Sequence, residues 1–269
     1  MRSDRPTWDD LVWGTEDLNL IWEAFHENSK STAVDDVLPN YAVVDWMTRM
    51  KNALAYDAFA AIPLPPIAIL PPFRLGLSEA ILARQTPSGM APARMSFATL
   101  AALLFYSYGI NRPNEAMPFP RPLRNVPSGG ALFPLEIYFH ARSVVEGLAP
   151  GLYHYNPEQH CVRQIVNRDL SEELAGCLFQ PEIVRGAALL VVQTALFRRN
   201  TVKYGDRGYR FTLIEAGHVA QNLNLVATAL GLGVWNVGGF QDRALDRLMG
   251  IDGINHSSLY LQAIGEKID

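Results

Sequence analysis

The chain has 269 residues, nearly half of them apolar, which suits one large domain or one of ordinary size with an extension. Its net charge of -4 gives no basic field for a polyanion and weighs against nucleic acid as a partner. The two cysteines, Cys161 and Cys177, lack CxxC spacing, which argues against a disulfide framework or a structural zinc and fits a reducing cytoplasm.

The opening run MRSDRPTWDD has no apolar core of an export signal. The most apolar early stretch, Ala58 to Phe73, carries five prolines that would break a spanning helix. The expectation is a soluble cytoplasmic chain with no membrane segment.

Leu11, Leu18, Ile21, Trp22 and Phe25 fall at helical spacing and predict a helical extension over residues 1 to about 57. The proline-rich run Ile62 to Phe73 reads as an extended connector. Residues 1–75 thus form an N-terminal extension, and 76–269 form the main domain. Leu77–Ala83 and Phe97–Tyr108 have helical periodicity, the second capped by Ser96 and closed by Gly109. Between them lies Arg84-Gln-Thr-Pro-Ser-Gly-Met90.

A proline-spaced loop (Pro113, Pro118, Pro120, Pro122) leads to Pro127-Ser-Gly-Gly-Ala-Leu-Phe-Pro134. A strand over Glu136–Ala141 follows, with Ile137 and Phe139 on one face. Gly151–Tyr155 and Cys161–Val166, joined through Asn156-Pro157, predict a hairpin. Ala187–Thr194 has the texture of a strand buried on both faces. The strongest helix covers Phe211–Leu230, with a stripe of Ala216, Val219, Leu223, Val226 and Leu230 and with Gly231 at its C-terminal cap. Strands over Val234–Val237 and Leu259–Ile264 flank a helix running from Asp242, its N-cap, to Met249. The sum is an α+β fold, a mixed sheet flanked by helices with one long central helix.

Three features can carry chemistry. Pro127-Ser128-Gly129-Gly130 and Val237-Gly238-Gly239-Phe240 let backbone approach a flat ligand, or else serve as ordinary tight turns. The run Lys203-Tyr204-Gly-Asp-Arg207-Gly-Tyr-Arg210, preceded by Arg198 and Arg199, concentrates cations and phenols. A lysine among cations can lose its proton more easily and act as a base, while the plainer alternative is a solvated basic loop. Glu215, His218 and Asn222 form one polar line on a helix that should be buried, best explained as a hydrogen-bonded stripe or a subunit contact. The remaining histidines show no metal-ligand spacing.

Taken in order, PSGGALFPLEIY (127–138), GLYHYNPEQH (151–160), KYGDRGYRFTLIEAGHVAQNLNLVATALGLG (203–233) and NVGGF (236–240) resemble the SagB-type dehydrogenases of the nitroreductase-like flavoproteins. FHENSK (25–30) is similar to a signature in the same family's N-terminal region. The resemblance implies a homodimer with FMN at its interface. Pro127, Ser128, Gly129 and Gly130 would lie along the flavin ring, and Gly238 and Gly239 would present backbone amides near its N5/O4 edge. Arg84 matches the first arginine of a phosphate motif of the form RxSxR, and Thr86 stands in for its serine. Ser88 stands where a second cation is usual, so that charge would come from Arg207, Arg210 or Lys267.

In azole-forming members a Lys-Tyr pair assists oxidation of an azoline, and Lys203-Tyr204 matches it, the lysine as the base or as the group that positions it and the tyrosine as relay or substrate holder. The implied function is FMN-dependent dehydrogenation of an azoline or similar bond in a peptide-like natural product. A biosynthetic partner protein that delivers the substrate stays open. So do a general NAD(P)H-dependent FMN reductase of nitroaromatics or quinones and a flavin-free scaffold subunit of a biosynthetic complex.

Overall fold

A computed structural model describes residues 21–30, 38–116 and 121–268. The chain divides into two compact units, Met1–Asp36 and Val37–Asp269. In the first, the described residues form helix α1 (Trp22–Asn28), and the expected helical positions Leu11 and Leu18 lie outside the described residues. In the second unit, α2 (Asn40–Arg49) turns Val43 and Met47, four residues apart, onto Leu132.

The centre of the second unit is an eight-stranded sheet. Its strands are β1 (Ala61–Pro63), β2 (Gly89–Ala91), β5 (Leu135–Ala141), β6 (Gly151–Asn156), β7 (Cys161–Val166), β8 (Leu189–Leu196), β9 (Gly233–Val237) and β10 (His256–Ile268). The path runs β1-β7-β6-β5-β8-β10-β2, β9 also pairs with β10, and every pairing between these strands is antiparallel. A separate ribbon joins β3 (Ile110–Arg112) to β4 (Leu123–Arg124).

Strand alternation sorts the core into two layers. Ile137 and Phe139 of β5, with Leu189 and Val191 of β8, face α4 (Phe97–Tyr108) and α8 (Arg207–Ala229). Tyr138, Leu190 and Val192 face the opposite way, onto α5 (Ser171–Cys177), α6 (Glu182–Gly186) and α9 (Asp242–Met249). The run expected to be buried on both faces is so buried. The stripe Ala216, Val219, Leu223 and Val226 lies in the first layer, and Gly231 closes α8 at φ +81.

Three local readings change. Gly109 ends α4 in extended backbone, φ −68, with Phe105 packed so close that a Cβ would strike it. Gln241, not Asp242, is the cap of α9, since Asp242 already belongs to the helix. The basic run at 198–210 is not a loop: it forms α7 (Arg198–Tyr204) and the first turn of α8. A further helix, α3 (Leu77–Ala83), lies where periodicity places it.

Candidate active site

The turn at 128–133 is held under strain. Gly130, Ala131 and Phe133 all have positive φ, of 63°, 53° and 45°, and only the first is a glycine. Buried guanidinium groups hold this backbone. Arg121 donates from Nε to the Ala131 carbonyl at 2.6 Å and from Nη2 to that of Leu132 at 2.9 Å, and Arg199 donates to that of Phe133 at 3.2 Å. Burial, with Arg199 and Arg124 nearby, brings the Arg121 value down to about 10. Ser128 Oγ accepts from the Phe133 amide at 2.9 Å and closes the turn.

Lys203 and Tyr204, at the end of α7, reach this turn. Gly205 at φ +53 breaks the helix, and Gly208 lets the start of α8 lie directly on Asn200. A Cβ on Gly130 would stand 2.7 Å from Tyr204 Oη and 2.9 Å from Lys203 Nζ. One on Gly129 would stand 3.1 Å from the Phe211 ring, which itself meets Tyr204 edge-on at 4.9 Å. The bare glycine backbone and the Lys-Tyr pair, 73 positions apart in sequence at Gly130 and Lys203, therefore form one surface. Arg207 and Arg210 stand half-buried in the first turn of α8 at the same end.

Behind the turn lies a buried cluster centred on Glu136 of β5. Its Oε1 accepts from Arg199 at 2.6 Å and from the Leu54 amide at 3.1 Å, and its Oε2 meets His154 Nε2 at 2.6 Å. Burial alone would raise this carboxyl, but Arg199 and His154 override it and bring it down to about 2. Arg199, expected in a basic loop, is thus a structural ion pair. The polar line on α8 is divided: Asn222 Nδ2 donates to the carbonyls of Asn125 and Tyr106, Glu215 is buried with Tyr108, and His218 is exposed.

The phosphate-motif residues lie elsewhere. Arg84 caps the end of α3 half-buried, Thr86 is exposed, and Ser88 Oγ donates to the Ile268 carbonyl at 3.0 Å. A Cβ on Gly233 would touch both Lys267 and Pro87, so Lys267 lies against this run. The same place is tied to the far end of α8, where the Ala229 carbonyl accepts from the Arg74 amide at 2.9 Å. α8 has 23 residues and spans about 34 Å. Within one chain, Arg207 and Arg210 are therefore a helix length from Arg84, and of the three proposed cations Lys267 is the one beside it. Gly238 and Gly239, exposed after β9, face Tyr260 and Phe179.

Sequence reasoning missed Arg121, Phe211 and the Glu136 cluster; the double arginine of PRPLR (120–124) next to the PSGG run was the available signal. Among the described residues no group of three His, Cys, Asp or Glu could hold a metal, and no helix is long and apolar enough to cross a membrane.

The antiparallel sheet, covered by helices on both faces, thus carries the strained glycine turn and the Lys-Tyr pair on one surface. Residues 91–266 match the nitroreductase family, and the chain belongs to that family. A Methanocaldococcus jannaschii protein described as a nitroreductase is 34% identical over 193 residues, 72% of this chain and 92% of that one. The microcin B17-processing protein McbC of Escherichia coli is 30% identical over 188 residues, 65% of this chain and 64% of its own length. That second relative supports the SagB-type resemblance.

Solved structures agree in fold. An Anabaena variabilis nitroreductase-family structure has a TM-score of 0.68 at 24% identity, over 91% of this chain and 47% of that one. McbBCD, the Escherichia coli microcin synthetase complex with truncated pro-MccB17 bound, gives 0.60 at 22% identity, over 93% and 92%. A Desulfovibrio desulfuricans structure in complex with FMN gives 0.51 at 18% identity, over 72% and 88%.

Proposed function

We propose that the chain is an FMN-dependent dehydrogenase that oxidises an azoline, or a similar C–N bond, in a peptide-like substrate. The observation that carries this is the closure of Lys203 and Tyr204 over Gly130, which would put base, phenol and bare backbone on one side of a flat ligand. A Cβ at Gly130 would press on Lys203 and Tyr204, and one at Gly129 on the Phe211 ring, so only bare backbone lets these side chains gather at the turn. Pro127, Ser128, Gly129 and Gly130 would hold the ring, and Gly238 and Gly239 its polar edge. Arg84, Thr86 and Ser88, with Lys267, would hold the phosphate.

FMN, when bound, supplies the two-electron acceptor. The chain's part is to place the substrate and take up its proton: Lys203 Nζ accepts it, and Tyr204 Oη orients the ring or relays the proton. A homodimer gives these residues their meaning. The phosphate and ring groups sit at opposite ends of α8, so a second copy would bring one end against the other's counterpart. Residues 76–269 would form the flavin-binding part, with 1–75 as the extension. Since McbC is found in an assembly with McbB and McbD, a partner that presents the peptide belongs to this proposal. The buried, free Cys161 and Cys177 fit a cytoplasmic setting.

The test uses the purified protein, added FMN and a synthetic thiazoline-containing peptide. The expected wild-type protein is yellow and oxidises the peptide. Lys203→Ala and Tyr204→Phe should keep the flavin spectrum and lose turnover by roughly 100-fold to 10,000-fold. A protein that refuses FMN defeats the proposal. So does unchanged turnover in both variants, and NAD(P)H-driven nitroarene reduction indifferent to the pair would favour a general reductase.

A further inference from the structure

The polar line on α8 contains one group that neither the fold nor the proposed use of Lys203 explains. Glu215 is buried to 1% exposure on a helix face otherwise made of Ala216, Val219 and Thr212. Its Oε1 accepts from Tyr108 Oη at 2.7 Å, while Oε2 has no hydrogen-bond partner among the described residues. A buried carboxylate oxygen with no donor carries an unpaired charge, and the neutral carboxylic acid costs less there. Glu215 lines a cavity of about 250 Å³ together with Pro127, Ser128, Gly129, Phe211 and His218. That cavity opens on the side of the turn that Phe211 shares with the Lys-Tyr pair.

From this geometry we infer that Glu215 is a proton-exchanging acid of the proposed flavin site, holding a proton at Oε2 and passing it to the group that occupies the cavity beside Pro127–Gly129. The inference rests on the flavin reading above. The O–H bond at Oε2 breaks as a bond to hydrogen forms on a basic atom of the occupant, and a carboxylate is left on Glu215. Tyr108 stabilises that carboxylate through its bond to Oε1. His218, exposed at the cavity wall, offers the return path for a proton from water.

The surroundings agree. Burial raises the Glu215 carboxyl to about 7, opposed by the hydroxyls of Ser128 and Tyr108 and by the guanidinium groups of Arg124 and Arg199. Ser128 Oγ accepts from the Phe133 amide, which leaves its hydroxyl hydrogen free to turn toward the Glu215 carboxyl. The charged and titratable groups around it are thus Tyr108 from α4, Arg124 from β4, Arg199 from α7, and His218 on its own helix. Lys203 stands across the turn. A carboxyl poised near neutrality can both give and take a proton at working pH.

Infrared spectroscopy of the intact protein reads this directly. In wild type a carboxylic-acid band should fade as pH rises through about 7, and Glu215→Gln should remove it. Tyr108→Phe, which deletes a bond favouring the carboxylate, should move the fading to higher pH and serves if Glu215→Gln does not fold. In FMN-loaded protein, reduction with dithionite should change the band. A yellow protein whose Glu215 band ignores reduction overturns the inference alone, as does the absence of any band sensitive to these variants. A colourless protein that refuses FMN overturns the flavin reading and this inference with it.

Discussion

Two buried carboxyls, about equally hidden from water, are shifted in opposite directions. Glu136 of β5 is 2% exposed and Glu215 of α8 is 1% exposed, yet one is held down at about 2 and the other pushed up to about 7. Depth therefore does not decide. Glu136 has Arg199, His154 and the Leu54 amide bonded to its two oxygens. Glu215 has one phenol on one oxygen and none on the other, and its arginines act from a distance. The first region is a strut: it ties Arg199, hence the 133 end of the strained turn, to the sheet and to the segment at Leu54. The second keeps its proton movable. Environments that split two carboxyls in this way separate a fixed ion from a working acid.

The largest effect that can test this contrast is at the strut. Glu136→Ala would leave Arg199 charged and buried without its partner, at a cost of about 3–5 kcal/mol. The melting temperature should fall by roughly 10 °C, with the loss visible in denaturant melts. A variant as stable as wild type would mean that Arg199 finds another anion and that the strut is dispensable.

Next in size is the pH dependence of stability, where the two carboxyls have opposite signs. Glu136, depressed from 4.5 to about 2, contributes stability above pH 4.5 that is lost as pH falls toward 2. Glu215, raised from 4.5 to about 7, stabilises fully below 4.5, and that contribution is lost as pH rises through 7. At 1.36 kcal/mol for each unit, the second loss amounts to about 3 kcal/mol between the two values. Chemical melts of wild type against Glu215→Gln across that window should show the slope in the first and not in the second. Parallel curves would place the titrating group elsewhere.

The regular parts of this fold were legible because hydrophobic period reports burial. Ala187–Thr194 reads as a strand buried on both faces since each alternate side chain meets a helix layer, and the α8 stripe reads as a helix for the same reason. Gly129 and Gly130 were legible as a place of close approach, but not what approached. The helix Arg198–Tyr204 was hidden because its residues are held by Glu136 and by the start of α8, contacts that no local period encodes. Positive φ at Ala131 and Phe133 has no sequence signature, since neither residue prefers it. The upward shift of Glu215 likewise comes from burial, opposed by partners such as Tyr108, 107 positions away. β1, with three residues, and α6, with five, are too short to show a period.

The strained turn borders both carboxyl regions. Gly130→Ala would hold a side chain at φ +63, which costs about 1–2 kcal/mol. Its Cβ would also meet the movable ends of Lys203 and Tyr204, which would have to withdraw. Thiazoline oxidation should then fall by far more than the modest loss of stability accounts for. Equal falls would show that the turn supports the fold and does not position the pair.

The smallest expected effect lies at the other end of α8 and concerns which cation completes the phosphate site. Lys267 is half-buried beside Pro87 and Gly233, whereas Arg207 and Arg210 belong with the Lys-Tyr pair. One partly solvated charge is screened, so Lys267→Ala should weaken FMN binding less than tenfold, under about 1.4 kcal/mol, and less still at high salt. Arg84→Ala, which removes the planar fork, should weaken it more. Fluorescence titrations of FMN at two salt concentrations separate these cases. If Lys267→Ala has no effect while Arg207→Ala does, the second charge comes from the α7–α8 end. In a single chain that end is a helix away from Arg84, so such a result would require the partner copy to supply it.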